Sequence, residues 1–236
     1  MGTSSRERRI GPCAGRPSRL SKLLSTAAVL GLFVISSPAA ADSASASAAY
    51  QRGDFAAALR EYRSLAKQGD AEAEFYLGRM YSVGDGVPQD YFQAAAWYRK
   101  AADKGLATAQ YNLGLMYSRG RGVAKDDGLA ANWYRKAADQ GFDMAQYNVG
   151  VMYERGEVFP QDYAQAVDWY RRAAEQGYPP AEHNLGVMYA AGWGVPQNYG
   201  LAVQWYRRAA GQGDMDSQAK LAAMYEDCRA TIMIAA

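Results

Sequence analysis

Apolar side chains recur along most of this chain at helical spacing, in two alternating phases. Between residues 107 and 120, Ala109, Leu113, Met116 and Tyr117 fall at i, i+4, i+7 and i+8, one face of an α-helix. Between 126 and 141, Ala130, Trp133, Tyr134, Ala137 and Ala138 mark the buried face of a second helix. These are helix A and helix B of one unit. The unit recurs: Trp97, Trp133, Trp169 and Trp205 stand 36 residues apart, each followed by tyrosine and two basic residues. Gly78, Gly114, Gly150 and Gly186 keep the same step, as do Met80, Met116, Met152 and Met188. A period of this length with two helices per unit predicts stacked repeats rather than a globular core.

The polar positions supply the punctuation. Asp90 with Gln93, and Asp162 with Gln165, have the spacing of capping boxes that open helix B. Gly105, Gly141, Gly177 and Gly213 suit the left-handed position that ends it. The glycine inside each helix A costs about 1 kcal/mol against alanine, so its recurrence predicts a backbone approach too close for a β-carbon. Asp103, Asp139 and Glu175 follow Arg99, Arg135 and Arg171 by four and predict exposed i,i+4 ion pairs.

The string Ala109…Leu113-Gly114…Met116-Tyr117…Gly120-x-Gly122-Val123…Asp126…Ala130…Trp133-Tyr134…Ala137-Ala138…Gly141 resembles the Sel1-like repeat, a relative of the tetratricopeptide repeat. The resemblance implies an all-α fold, a right-handed α-solenoid of antiparallel helix pairs. The four units are 71–106, 107–142, 143–178 and 179–214. Partial units flank them. Residues 51–70 read as an isolated helix B, with Tyr62 in the place of Tyr98 and Glu61 where tryptophan is expected. Residues 215–236 read as a final helix A and a tail that either folds back or is disordered. In the third unit Gly156-Glu157-Val158 lacks the second turn glycine.

The first forty residues change the charge. Residues 1–22 carry Arg6, Arg8, Arg9, Arg16, Arg19 and Lys22 against Glu7, followed by apolar residues 23–35 and an Ala-x-Ala site. This predicts a signal peptide over 1–41, general secretion to the periplasm or exterior, and no membrane span after cleavage. An Ala/Ser linker is expected over 42–50. The whole chain has 26 basic and 24 acidic residues and a net charge of +2; without the signal 20 and 23 remain, a net −3. A mildly acidic mature chain argues against nucleic-acid binding. Of the two cysteines only Cys228 would remain, so no intramolecular disulfide is expected.

Catalysis finds little support. His183 is the only histidine and holds a lattice position where Phe75, Tyr111 and Tyr147 stand elsewhere. The glycine pairs follow a helix, not a strand, and lack the third glycine and Lys-Ser/Thr of nucleotide loops. No metal, cofactor or catalytic set is predicted. The cysteine-rich branch of the resembled family is associated with β-lactam hydrolysis but pairs two cysteines in each repeat, and residues 71–214 contain none. A glycan binder using exposed tyrosines is the other alternative.

One row exceeds what a simple amphipathic helix requires. With Leu113 facing the core, Tyr111 and Leu115 point away from it at 100° per residue. Tyr147 with Val151 and His183 with Val187 repeat the pair, and Phe75 begins it. The row either packs against the neighbouring repeat or lines a groove for a peptide or helix. Asn112, Asn148 and Asn184 flank it, and in similar repeats such asparagines bond a ligand's backbone. The resemblance implies an adaptor or scaffold with a protein or peptide partner, and these are its candidate contact residues.

Overall fold

The computed structural model describes residues 38–235, with side chains placed for 43–226; the signal segment falls almost wholly outside them. Eleven helices and no strands occupy the described residues. The A helices of the four units are α3 (Ala71–Val83), α5 (Ala107–Arg119), α7 (Asp143–Arg155) and α9 (Pro179–Ala191). The B helices are α4 (Tyr91–Asp103), α6 (Asp127–Asp139), α8 (Tyr163–Glu175) and α10 (Tyr199–Gly211). The N-terminal cap is α1 (Pro38–Gln51) with α2 (Phe55–Lys67), and α11 (Met215–Ala235) closes the array. Each helix packs chiefly on its neighbours in sequence, as a solenoid requires.

Both ends depart from expectation. The linker expected over 42–50 belongs to α1, which buries Ala46 and Ala49 against α2, so α2 is no isolated helix B. Small side chains there are helix-packing residues. The tail neither folds back nor breaks: α11 runs to Ala235 as one 21-residue helix.

Alanines, leucines and the Tyr of each Trp-Tyr pair form the core. Leu113, Leu185, Met188 and Tyr170 have no measurable exposure. The helix A glycine is explained by an aromatic ring rather than by backbone. A β-carbon on Gly114 would lie 2.7 Å from the ring of Tyr134, and Gly78, Gly150 and Gly186 meet Tyr98, Tyr170 and Tyr206 in the same way. The ring lies flat on the helix A backbone, which only glycine allows.

Helix B opens on half of a capping box. Asp90 accepts from Phe92 N and Gln93 N, and Asp162 from Gln165 N. The return bond to the cap's own N–H is pre-empted, because Asp90 N donates to Tyr81 O and Asp162 N to Tyr153 O. The A–B loop is thereby tied to the end of helix A instead.

Of the three i,i+4 ion pairs, Arg135–Asp139 forms, at 3.4 Å. The arginine that follows each helix B tyrosine donates to a tyrosine hydroxyl 18 residues on: Arg63 to Tyr81, Arg99 to Tyr117, Arg135 to Tyr153, Arg171 to Tyr189 and Arg207 to Tyr225. Helix B of one unit is thus bonded to helix A of the next. The second basic residue lies over its own tryptophan, with Lys100 Nζ 3.8 Å from the Trp97 ring centre and Lys136 Nζ 4.0 Å from that of Trp133.

A half-buried polar ladder joins the two helices within each of the second, third and fourth units. Gln140 Nε2 donates to Gln110 Oε1 at 2.7 Å, Gln176 to Gln146 at 2.8 Å and Gln212 to Glu182 at 2.8 Å. Burial raises the Glu182 pKa, opposed by Arg208, whose Nε lies 2.8 Å from Oε1.

Burial also lifts the core phenols. Tyr62 and Tyr98 are pushed up to about 12, and Tyr170 rises further because Glu154 accepts its hydroxyl proton. A raised folded pKa contributes stability that is whole below the unfolded value of about 10 and is lost as pH climbs through the folded one. Alkaline titration should therefore show tyrosinate absorbance in two stages, the second coinciding with loss of helical circular dichroism. A single stage at the ordinary tyrosine pKa with helices intact would contradict this packing.

Candidate interaction grooves between the A helices

The aromatic-apolar row is half-buried throughout and divides into two sets by what each touches. Its aromatic members are half-buried and join neighbouring elements. Phase by phase, Tyr111 lies 5.7 Å from Tyr134 and 5.1 Å from Phe142, while Tyr147 lies 5.6 Å from Tyr170 and 5.4 Å from Tyr178. Phe75 lies 5.6 Å from Tyr98 and His183 5.6 Å from Tyr206. Each such ring touches the helix B tyrosine of its own unit, and Tyr111 and Tyr147 also touch the residue that opens the next helix A. Burial raises the pKa of both; hydrogen bonding from Asn148 to Tyr111, and from Asn184 to Tyr147, works against it. Asn112 donates to Thr108 O at 2.7 Å, within its own helix.

The row ends in a polar substitute. His183 Nδ1 lies 2.8 Å from Ser217 Oγ and 3.4 Å from Asp214 Oδ1, where the earlier units place ring on ring. Burial tends to raise the Asp214 pKa, but the side-chain and backbone bonds from Ser217, with His183, bring it below the usual carboxylate value. Ser217 is fully buried, so this trio secures α11 and offers no exposed nucleophile.

The apolar members face the surface at the junctions. Leu115 lines a groove between the first and second units with Ser82, Tyr91, Asn112, Arg119 and Arg121. It also lines the next groove, with Asn148, Val151, Lys125, Asp127 and Val158. Val187 lines a third, between the fourth unit and α11, with Tyr199, Tyr206 and Met224. The three are the same site at different phases of the repeat: Tyr91, Asp127 and Tyr199 are equivalent positions, as are Tyr98, Tyr134 and Tyr206.

Their sizes differ for a legible reason. The first groove encloses 70 Å³ and the second 370 Å³. In the first, the Tyr91 ring fills the mouth beneath Arg121, whose guanidinium carbon lies 5.5 Å from the ring centre. In the second, Asp127 replaces that ring. It is also the junction where Val158 replaces the turn glycine; a β-carbon on Gly122, its counterpart, would lie 2.0 Å from Tyr91 O. Phe159 stacks on Tyr153 at 4.8 Å. At the third-to-fourth junction Tyr163 and Trp193 stack at 5.4 Å.

The sequence pattern identified Leu115, Val151, Val187 and the asparagines but missed Arg119, Arg121 and Tyr91. Arg121 stands where the other units have Asp85, Glu157 and Trp193, and Arg119 recurs only as Arg155, so a search for positions common to all four units passes over both. Among the described residues no group of three or more His, Cys, Asp or Glu side chains could hold a metal ion, and no helix is long and apolar enough to cross a membrane.

Comparison with known proteins agrees with this architecture. The family model described as "Sel1 repeat" matches residues 71–106, 107–142, 143–178 and 179–214. A protective antigen of uropathogenic Escherichia coli strains displaying an SLR fold is 44% identical, with a TM-score of 0.76 over 79% of this chain and 41% of that one. This chain thus spans about two-fifths of that protein's length. A Sel1 repeat protein from Oxalobacter formigenes is 37% identical, with a TM-score of 0.73 over 77% of this chain and 74% of that one. Among curated proteins none matches at a significant level. Four in-phase matches, and helix pairs that superpose on solved relatives, make one conclusion: the chain belongs to the Sel1 repeat family.

Proposed function

We propose that the chain is an exported protein-interaction module, an adaptor, scaffold or regulator of an envelope complex or sensor. It seats an extended segment of its partner along the grooves between its A helices. Sel1 repeat proteins generally mediate protein–protein interaction. The observation that carries the reading is the recurrence of one groove at three junctions of the array, with Leu115, Val151 or Val187 on its wall. An extended chain presents side chains at a regular step, and a periodic row of grooves is suited to receive them. The N-terminal basic and apolar segments support export to the periplasm or exterior.

A photo-crosslinking residue tests the face directly. Placed at Val151, it should give one discrete adduct in the native envelope fraction, whereas at exposed Glu175 on α8 it should give none. Equal labelling from both positions would remove the basis for the A-helix assignment.

A further inference from the structure

The grooves differ in charge, and that difference specifies the partner more closely than the fold does. The first is lined by Arg119 and Arg121, with the Ser82 hydroxyl, Asn112 and Tyr91, and by no acidic side chain. Both arginines are exposed, and neither forms an ion pair with a described residue. The second groove shares Arg119 and adds two cations that have counter-charges: Lys125 Nζ lies 3.2 Å from Asp127, and Arg155 3.7 Å from Glu157. The last is lined by Val187, Ala190, Tyr199, Tyr206 and Met224, with Lys220 as its one cation. Acids elsewhere along this face are engaged too, with Asp85 accepting from Tyr50 and Glu154 from Tyr170. Positive charge without a neighbouring acid is therefore greatest at the first junction, where two guanidiniums line one groove.

Building on the interaction reading above, we infer that the first junction is a carboxylate subsite: it takes an Asp or Glu side chain of the extended partner segment. Two guanidiniums present forked donors suited to a planar carboxylate. The groove is narrow beside the second, so it admits a short anionic head rather than a bulky side chain. Because the second groove carries two carboxylates and the last a lone lysine, an acidic residue is seated best at the first. That preference biases the partner's register, which a uniform row of grooves would leave free to slide by a repeat.

A displayed library of random extended peptides, fused at their C-termini so that no free terminal carboxylate is present, tests the inference on the full chain. Selected peptides should share Asp or Glu at one fixed position. The double variant R119E/R121E should weaken a selected peptide about tenfold or more and turn selection toward Lys or Arg at that position. R119Q/R121Q, a milder change, should abolish the acidic preference without reversing it. R60E, an exposed reversal on α2, should leave selection unchanged. Peptides that bind but show no acidic position, or keep it in R119E/R121E, overturn the subsite while leaving the groove reading intact. If no sequence is enriched, the groove reading fails and the subsite with it.

Discussion

Tyr170→Ala is expected to be among the most damaging single changes, costing about 3–5 kcal/mol. Tyr170 is fully buried in α8, and its ring covers Gly150, where a β-carbon would lie 2.7 Å away. It also packs 5.6 Å from Tyr147 and donates its hydroxyl to Glu154. Truncation leaves a cavity against a glycine, which has no side chain to move into it, and strands a half-buried carboxylate. Stability in a solenoid is a sum of unit and junction contributions, so weakening the third unit separates the units on either side. Urea unfolding should show a lower midpoint and a shallower slope as the transition loses cooperativity. The comparison is Phe92→Ala, at an exposed site on α4, which should change stability by no more than about 0.5 kcal/mol. A loss below about 1 kcal/mol for Tyr170→Ala would refute the ring-on-glycine account.

Gly122→Ala should follow in severity, and Gly141→Ala separates its two causes. Both glycines have positive φ, +68° and +91°, so both substitutions carry left-handed strain of about 1–2 kcal/mol. They differ in space. A β-carbon at Gly141 meets nothing within 4 Å, whereas at Gly122 it would lie 2.0 Å from Tyr91 O and 2.3 Å from Tyr91 C. Backbone atoms cannot rotate aside, so overpacking adds about 1–3 kcal/mol and forces α4 and α5 apart at the first groove. Thermal or urea melts of the two variants should therefore differ clearly. Equal melts would mean that the close approach between the units has no energetic consequence. Val158 is the chain's own version of the substitution, and the junction that carries it has the wider groove.

The helices and the four units were legible because the hydrophobic face and its punctuation lie within one unit. Trp133, Leu113, Gly141 and Asp126 each announce a local role. Interactions between units were not legible, since no short spacing announces them. Arg99 sits four residues before Asp103, which suggests a local ion pair, yet it bonds Tyr117 because stacking brings helix A of the next unit alongside. Segment 42–50 was misread for a related reason. The turn between α1 and α2 spans only residues 52–54, so α1 lies off the 36-residue lattice and its alanines have no repeat partners in sequence. In the candidate surface, pattern alone could not show that the rings of Tyr111 and Tyr147 pack on Tyr134 and Tyr170 while Leu115 and Val151 line a groove. Replacing those tyrosines would therefore confound binding with stability, whereas Val151, Arg119 and Arg121 offer separable probes.

The arginine–tyrosine bonds span half a unit, and that offset bears on how such an array changes length. Each bond joins helix B of one unit to helix A of the next, with its donor and acceptor at fixed phases of the repeat. A recombination that duplicates or deletes one whole 36-residue window restores a matched donor and acceptor at the new seam, wherever within the unit the crossover falls. No compensating point mutation is needed. Lineages built on this lattice can therefore add or lose junctions, each able to acquire its own groove chemistry, without first passing through an unstable intermediate.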